Sequence, residues 1–211
     1  MKYDPNKHHR RSIRLPGYDY SQPGAYFVTI CAYQRQCMFG DIVDGQMRLN
    51  QYGAIVADEW QKSSTIRQEI ELDEWVVMPN HFHGIVIINN PVGANDNPVG
   101  ANDNPVGAND NPVGANDNPV GANGRSPLHN DPTSQRMKPK SLSSLMAGFK
   151  SITTKKINIL RDTPGTPLWQ RNYYEHIIRN QDAMDKIRQY IIDNPVSWGI
   201  DQLHPDNPSK W

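Results

Sequence analysis

Residues 75–88 read WVVMPNHFHGIVII, two apolar runs around a short polar break. Val76 and Val77 before the break, and Ile85, Val86, Ile87 and Ile88 after it, are β-branched, which suits a pleated, well-buried surface. Pro79-Asn80 is a turn signal between the two runs. His81 and His83 follow at once. Residues i and i+2 of a strand point to the same face, so the two imidazoles project side by side from a rigid strand. Histidine is the commonest metal ligand among side chains. By itself a His-x-His pair is a weak signal; its weight comes from the C-terminal third.

Outward from this stretch, the N-terminal side supplies the remaining strands. Residues 25–34 (AYFVTICAYQ) alternate as a strand, with Phe27, Thr29 and Cys31 on one face and Val28, Ile30 and Ala32 on the other. Residues 39–49 (FGDIVDGQMRL) are punctuated by glycine like a hairpin. Residues 50–66 read as a helix capped by Asn50, with Tyr52, Ile55, Val56, Glu59 and Trp60 on one stripe. Residues 70–78 form the strand that leads into the His pair. Its acidic neighbours Glu69, Glu71, Asp73 and Glu74 are either solvent-facing or, for one of them, close to a metal.

The chain then changes character. Residues 90–124 hold five seven-residue units, four NPVGAND and one NPVGANG. Each has only one Val and one Ala as apolar residues, too few to offset chain entropy by burial. The expectation for 91–123 is a disordered surface-loop insertion within a single domain of residues 1–211; loops tolerate added length cheaply. Beyond it, residues 141–160 predict a helix capped by Ser141, with an apolar stripe of Leu142, Leu145, Met146, Phe149, Ile152 and Ile157. Lys150, Lys155 and Lys156 form its basic side. Residues 168–179 (LWQRNYYEHIIR) read as a strand or a strand-to-helix connection. Residues 180–194 predict a last helix, ended by Pro195, which disfavours α geometry in the residue before it. Lys186, Tyr190 and Asn194 are spaced i, i+4, i+8 on one face of it.

At 211 residues, with a formal net charge of zero, the chain suits one domain with a real core. The neutrality hides an uneven distribution: residues 1–20 carry five Lys/Arg against two acidic residues, and residues 124–190 carry twelve against five. Basic regions of this kind fit a phosphate-backbone binder, and a solvated surface face fits them equally. Candidate contacts are Arg10, Arg11 and Arg14 in the N-terminal arm, the three helix lysines, and Trp169, Arg171 and Arg179, where aromatics alternate with cations as in base-stacking platforms. Core packing of Trp169 is the competing explanation. The two cysteines, Cys31 and Cys37, make neither a CxxC motif nor a disulfide framework. The N-terminus has no apolar core of a signal peptide, and no run has the length of a membrane span, so a cytoplasmic protein is expected.

Taken together, MPNHFHGIVI (residues 78–87) and LWQRNYYEHIIRNQDAMDKIRQYIIDNPVSWG (residues 168–199) resemble the single-tyrosine HUH (IS200-like) transposases. The resemblance is strongest to the REP-associated tyrosine transposases, with their WQ…E-H-x-IR…YI…NP pattern. It covers nearly all of the chain outside the repeats, which lengthen the spacing between the motifs. It implies an α+β fold, a ferredoxin-like antiparallel sheet with helices packed on it and the His pair on a central strand. It implies that His81, His83 and Asn194 bind one divalent cation, Mg²⁺ or Mn²⁺, and that Tyr190 is the nucleophile. The activity implied is cutting and rejoining of single-stranded or hairpin DNA through a 5′-phosphotyrosine bond, by a protein that is nucleoid-associated when DNA-bound. Lys186, on the tyrosine face, is placed to neutralise the scissile phosphate. Relatives include helix-swapping dimers and monomers, so a homodimer stays open. Two alternatives remain at this point: a hairpin-binding protein that no longer cuts, and a metal-dependent hydrolase that uses water.

Overall fold

A computed structural model describes residues 18–89 and 138–207. The N-terminal arm with Arg10, Arg11 and Arg14, and the repeats at 91–123, lie outside the described residues. The elements run β1 (Gly24–Cys31), β2 (Gly40–Val43), β3 (Gln46–Leu49), α1 (Gln51–Ile66), β4 (Ile70–Val77), β5 (His81–Ile88), α2 (Leu142–Leu160), β6 (Tyr174–Ile178) and α3 (Gln181–Asp193). β2 and β3 pair as a separate hairpin, and the other four strands form one antiparallel sheet in the order β4-β5-β1-β6. Each helical crossover, through α1 and through α2, skips one strand. That is the βαββαβ arrangement of ferredoxin-like folds, with a hairpin added after β1 and a helix after β6.

Local chemistry explains the helix starts. Asn50 accepts from the backbone N–H groups of Tyr52 and Gly53 at the head of α1. Ser141 and Ser144 form a reciprocal capping box on α2, and Asn180 accepts from Ala183 at the head of α3. β1 is shorter than its alternation predicts. It stops at Cys31, because Gln34 and Arg35 both take the left-handed φ of 55° and turn the chain into a 3-10 turn. In residues 168–179 only Tyr174–Ile178 becomes a strand; Trp169 makes an isolated bridge to Ala32.

The sheet separates two environments. Tyr26, Val28 and Ile30 of β1, with Phe82, Val86 and Ile88 of β5, face α1 and α2 and build the main core with Val56, Trp60, Leu142, Met146 and Phe149. Phe27 of β1 and Ile85 of β5 face the other way. With Ile178 they make a small cluster closed by Ile191 of α3. The expected stripe of α2 is corrected at one place: Thr153 is buried where Ile152 was expected, and its hydroxyl accepts from the Trp169 indole at 2.8 Å.

The main core presses directly on the His strand at Gly84, which lies between His83 and Ile85. A Cβ there would sit 2.8 Å from the Trp60 ring and 2.9 Å from Phe82. Trp60 and Phe82 themselves pack at 4.5 Å between ring centroids. Gly84→Ala should therefore lower stability by about 1–3 kcal/mol, the usual penalty of overpacking. Denaturant unfolding measures this, with a lowered midpoint and an unchanged slope.

Candidate active site

The face of the sheet opposite α1 and α2 carries the site. His81 and His83 open β5, and the register places Cys31 across from His81 and Thr29 across from His83. Both imidazoles are essentially buried, with ring centroids 4.5 Å apart. Each is held from its outer nitrogen. Asn80 Oδ1 lies 2.8 Å from His81 Nδ1, and Thr29 Oγ1 lies 2.8 Å from His83 Nδ1. The Nε2 atoms are thereby left to face inward. Partners on the far nitrogen are what orient metal-binding histidines.

Burial holds His83 at about 3, and holds His81 well below its usual value. At His81 the neighbouring His83 adds to the effect and Asn194 opposes it. Both rings are therefore neutral at neutral pH, the state a metal ligand needs.

Three more groups meet the His pair. Tyr190, from α3, has its hydroxyl 3.3 Å from His83 Nε2, while its side chain stays half exposed. Phe27 stacks on His83 at 5.4 Å and meets Tyr190 edge-on at 6.1 Å, so one ring braces both. Asn194, the C-cap of α3, is 3 % exposed, and its Oδ1 has no hydrogen-bond partner among the described residues. It lies close enough to His81 and Tyr190 to act on both. Asp201 comes from the segment after α3 and puts Oδ2 3.8 Å from His81 Nε2. Burial raises the Tyr190 phenol above its ordinary value, Asp201 adds to the rise and Asn194 opposes it.

These donors suit a divalent cation. One ligand atom each from His81, His83 and Asp201 lie within 4.8 Å of one another. The 3.8 Å between His81 Nε2 and Asp201 is too long for a hydrogen bond. It is short enough for both atoms to reach one shared ion at about 2.1 Å. His81 Nε2 and Asn194 Oδ1 are buried polar atoms without hydrogen-bond partners among the described residues, and a cation would satisfy both. Asp201 is the ligand candidate that sequence reasoning missed. It stands in GIDQLHPDN, outside both motifs, and only the fold of the C-terminal segment carries it to the histidines. Glu69, Glu71, Asp73 and Glu74 are not in that cluster; Glu69, just before β4, pairs with Arg67 at 3.1 Å, and Asp73 of β4 pairs with Arg188 of α3 at 2.6 Å.

The candidate DNA contacts divide. Lys155, Arg171, Arg179 and Lys186 are exposed. Lys150 instead donates to the carbonyls of Gln170 and Arg171, at 2.6 and 2.8 Å, and staples α2 to the segment before β6. Lys156 pairs with Glu59 at 2.6 Å and ties α2 to α1. Trp169, expected as a stacking platform, is a core residue against Phe39 and Phe149; the large apolar ring gains more from burial there than from exposure.

No family model matches the chain. An uncharacterized protein of Haemophilus influenzae is 36% identical over 205 residues, which cover 97% of this chain and 98% of that protein. The chain belongs to that protein's family. Among solved structures, a REP-associated tyrosine transposase bound to a REP hairpin superposes with a TM-score of 0.51 and 18% identity, over 90% of this chain and 76% of that one. That likeness is one of fold. No helix among the described residues is long and apolar enough to cross a membrane.

The buried histidines set an acid dependence. Each takes up a proton on unfolding near its ordinary value of about 6.5 but resists it when folded. The unfolded state therefore binds more protons below that pH, and stability falls as pH falls. With a chelator present, the unfolding midpoint should drop between pH 7 and pH 4. The drop should be clearly smaller in a His81→Gln, His83→Gln double variant.

Proposed function

We propose that this protein is a metal-dependent tyrosine transposase that nicks and rejoins single-stranded DNA beside a hairpin. The observation that carries the reading is the Tyr190 hydroxyl 3.3 Å from His83 Nε2, over paired imidazoles, a carboxylate and an unpaired amide oxygen. A candidate nucleophile thus lies beside a set of candidate cation ligands, a juxtaposition that metal-assisted phosphodiester transfer uses. His81, His83 and Asp201 would hold the cation, Mg²⁺ or Mn²⁺, and Asn194 Oδ1 completes the set. When bound, the cation stabilises charge on the non-bridging oxygens of the scissile phosphate.

The chain's own residues do the rest. Phe27 and α3 hold the Tyr190 ring over His83. The Tyr190 Oη attacks phosphorus, the Oη–P bond forms, and the P–O3′ bond breaks. The phenol loses its proton and the departing 3′ oxygen gains one. The product is a 5′-phosphotyrosine and a free 3′-OH. The bond energy is conserved, so attack by another 3′-OH reverses the step without ATP. Exposed Lys155, Arg171, Arg179 and Lys186 are the contacts proposed for the DNA backbone, with Arg10, Arg11 and Arg14 of the arm. The solved neighbour of the same fold was bound to a REP hairpin, so hairpin-flanked single strands are the substrates to try first.

Covalent capture tests the reading. Labelled single-stranded hairpin DNA from the flanks of the gene is mixed with protein and Mg²⁺ or Mn²⁺ and run on denaturing gels. An adduct carrying the 3′-side fragment is expected. It should be absent in Tyr190→Phe and reduced by about 10²-fold or more in His81→Ala. Cleavage without an adduct, unchanged in Tyr190→Phe, would establish a hydrolase that uses water. Tight binding without cleavage in either metal would establish a hairpin-binding protein.

A further inference from the structure

We propose that Asn80 is the positioning residue of this site: its side-chain amide dictates which nitrogen of His81 faces the cation, and the same amide anchors the segment that delivers Asp201. The inference rests on the cation-dependent reading above and assigns a role to a residue that the sequence marks only as part of a turn.

Hydrogen-bond saturation fixes the orientation of the Asn80 amide. Asn80 is fully buried between β4 and β5. Its Nδ2 donates to two backbone carbonyls, Arg35 O at 3.1 Å and Leu203 O at 2.8 Å. A primary amide nitrogen has two hydrogens, and both are used. The amide cannot be flipped, because its oxygen would then face two carbonyl oxygens. Asn80 Oδ1 is therefore the atom 2.8 Å from His81 Nδ1, and it can only accept. Nδ1 must carry the proton. A neutral imidazole has only one, so Nε2 keeps its lone pair. That is the atom directed at Asp201.

The same amide reaches the other ligand. Leu203, whose carbonyl Asn80 holds, donates its own N–H to Asp201 Oδ1 at 2.6 Å. One carboxylate oxygen is thus held within the turn, and Oδ2 is left toward His81. Trp198 packs on His81 at 5.9 Å and on His204 at 4.7 Å, so the anchored segment lies against the histidine it completes. A single side chain therefore joins the turn after β1, the head of β5 and the C-terminal segment. Among side chains, only a carboxamide presents one acceptor and two donors in a plane. Asparagine is the one short enough for this turn.

The test begins with the unsubstituted protein. Long-range ¹H–¹⁵N correlations of ¹⁵N-histidine-labelled, metal-free protein at pH 8 report the His81 tautomer, assigned by its loss in His81→Gln. The Nδ1–H form is expected; an Nε2–H form overturns the proposal without any variant at Asn80. Two variants then separate the roles. Asn80→Asp keeps the acceptor and loses both donors. It should retain the His81 tautomer while amide exchange across residues 201–207 speeds up by about tenfold or more. Asn80→Ala should give mixed tautomers and weaken Mn²⁺ binding, read by electron paramagnetic resonance, about 10–100-fold. A folded Asn80→Ala protein with the original tautomer and Mn²⁺ affinity overturns the proposal. So does an Asn80→Asp protein with unchanged exchange in the C-terminal segment. If Asn80→Ala does not fold, the other two measurements decide. Mn²⁺ binding that is unaffected by His81→Ala would sink the cation-dependent function instead, and the tautomer and exchange readouts would still judge Asn80.

Discussion

Two imidazoles buried side by side at the head of β5 are the constraint that the surrounding structure serves. A buried polar atom without a partner costs roughly 1–3 kcal/mol, and an imidazole presents two such atoms. Asn80 and Thr29 satisfy the outer nitrogens of His81 and His83. His81 Nε2 has no hydrogen bond among the described residues, and Tyr190 approaches His83 Nε2 only at 3.3 Å. An arrangement that supports one side of each ring and leaves the other side open is directional. With Asp201 and Asn194 on the inward side, the donor set is one that suits a cation.

The sheet makes this possible by dividing its labour between two faces. Beneath the histidines, Phe82, Val86 and Ile88 pack against Trp60 and Phe149 in a core that extends through α1 and α2. β5 is therefore held firmly from behind, and its register against β1 places Thr29 and Cys31 without freedom to slip. α3 rests on a much smaller cluster of Phe27, Ile85, Ile178 and Ile191. Arg188 supplements it by gripping Asp73 through two hydrogen bonds, at 2.8 and 2.6 Å, from the irregular point in β4. The histidine strand is thus backed by the larger core, while Tyr190 rides on the element with the smaller buried cluster.

Kinship and fold carry the functional reading only part of the way. The Haemophilus influenzae relative establishes a family but no activity, and the fold shared with a transposase is one that hosts many chemistries. The weight falls on the site itself: a tyrosine hydroxyl beside neutral, oriented imidazoles. The one strongly basic stretch of the described chain is also less uniform than its composition implies. Lys150 and Lys156 hold helices in place, and Lys155, Arg171, Arg179 and Lys186 remain on the surface.

Much of the architecture was legible in the sequence because it is locally encoded. Alternation in residues 70–88 specified two strands and put His81 and His83 on one face. Asn50 and Ser141 marked helix starts, and the i, i+4, i+8 spacing put Tyr190 and Asn194 on one side of α3. Trp169 was ambiguous, since an aromatic between cations reads the same whether it stacks on a base or fills a core. Asp201 and the role of Asn80 were beyond reach. Asp201 meets His81 across 120 residues of chain, and Asn80 acts through carbonyls of Arg35 and Leu203, atoms that every residue type possesses. Periodicity and capping are properties of neighbours in sequence, so the sequence determined the elements and the faces they present. The acidic ligand candidate, the aim of His81 and the fate of each lysine depend on which distant segments the fold brings together, and only the tertiary structure decided them.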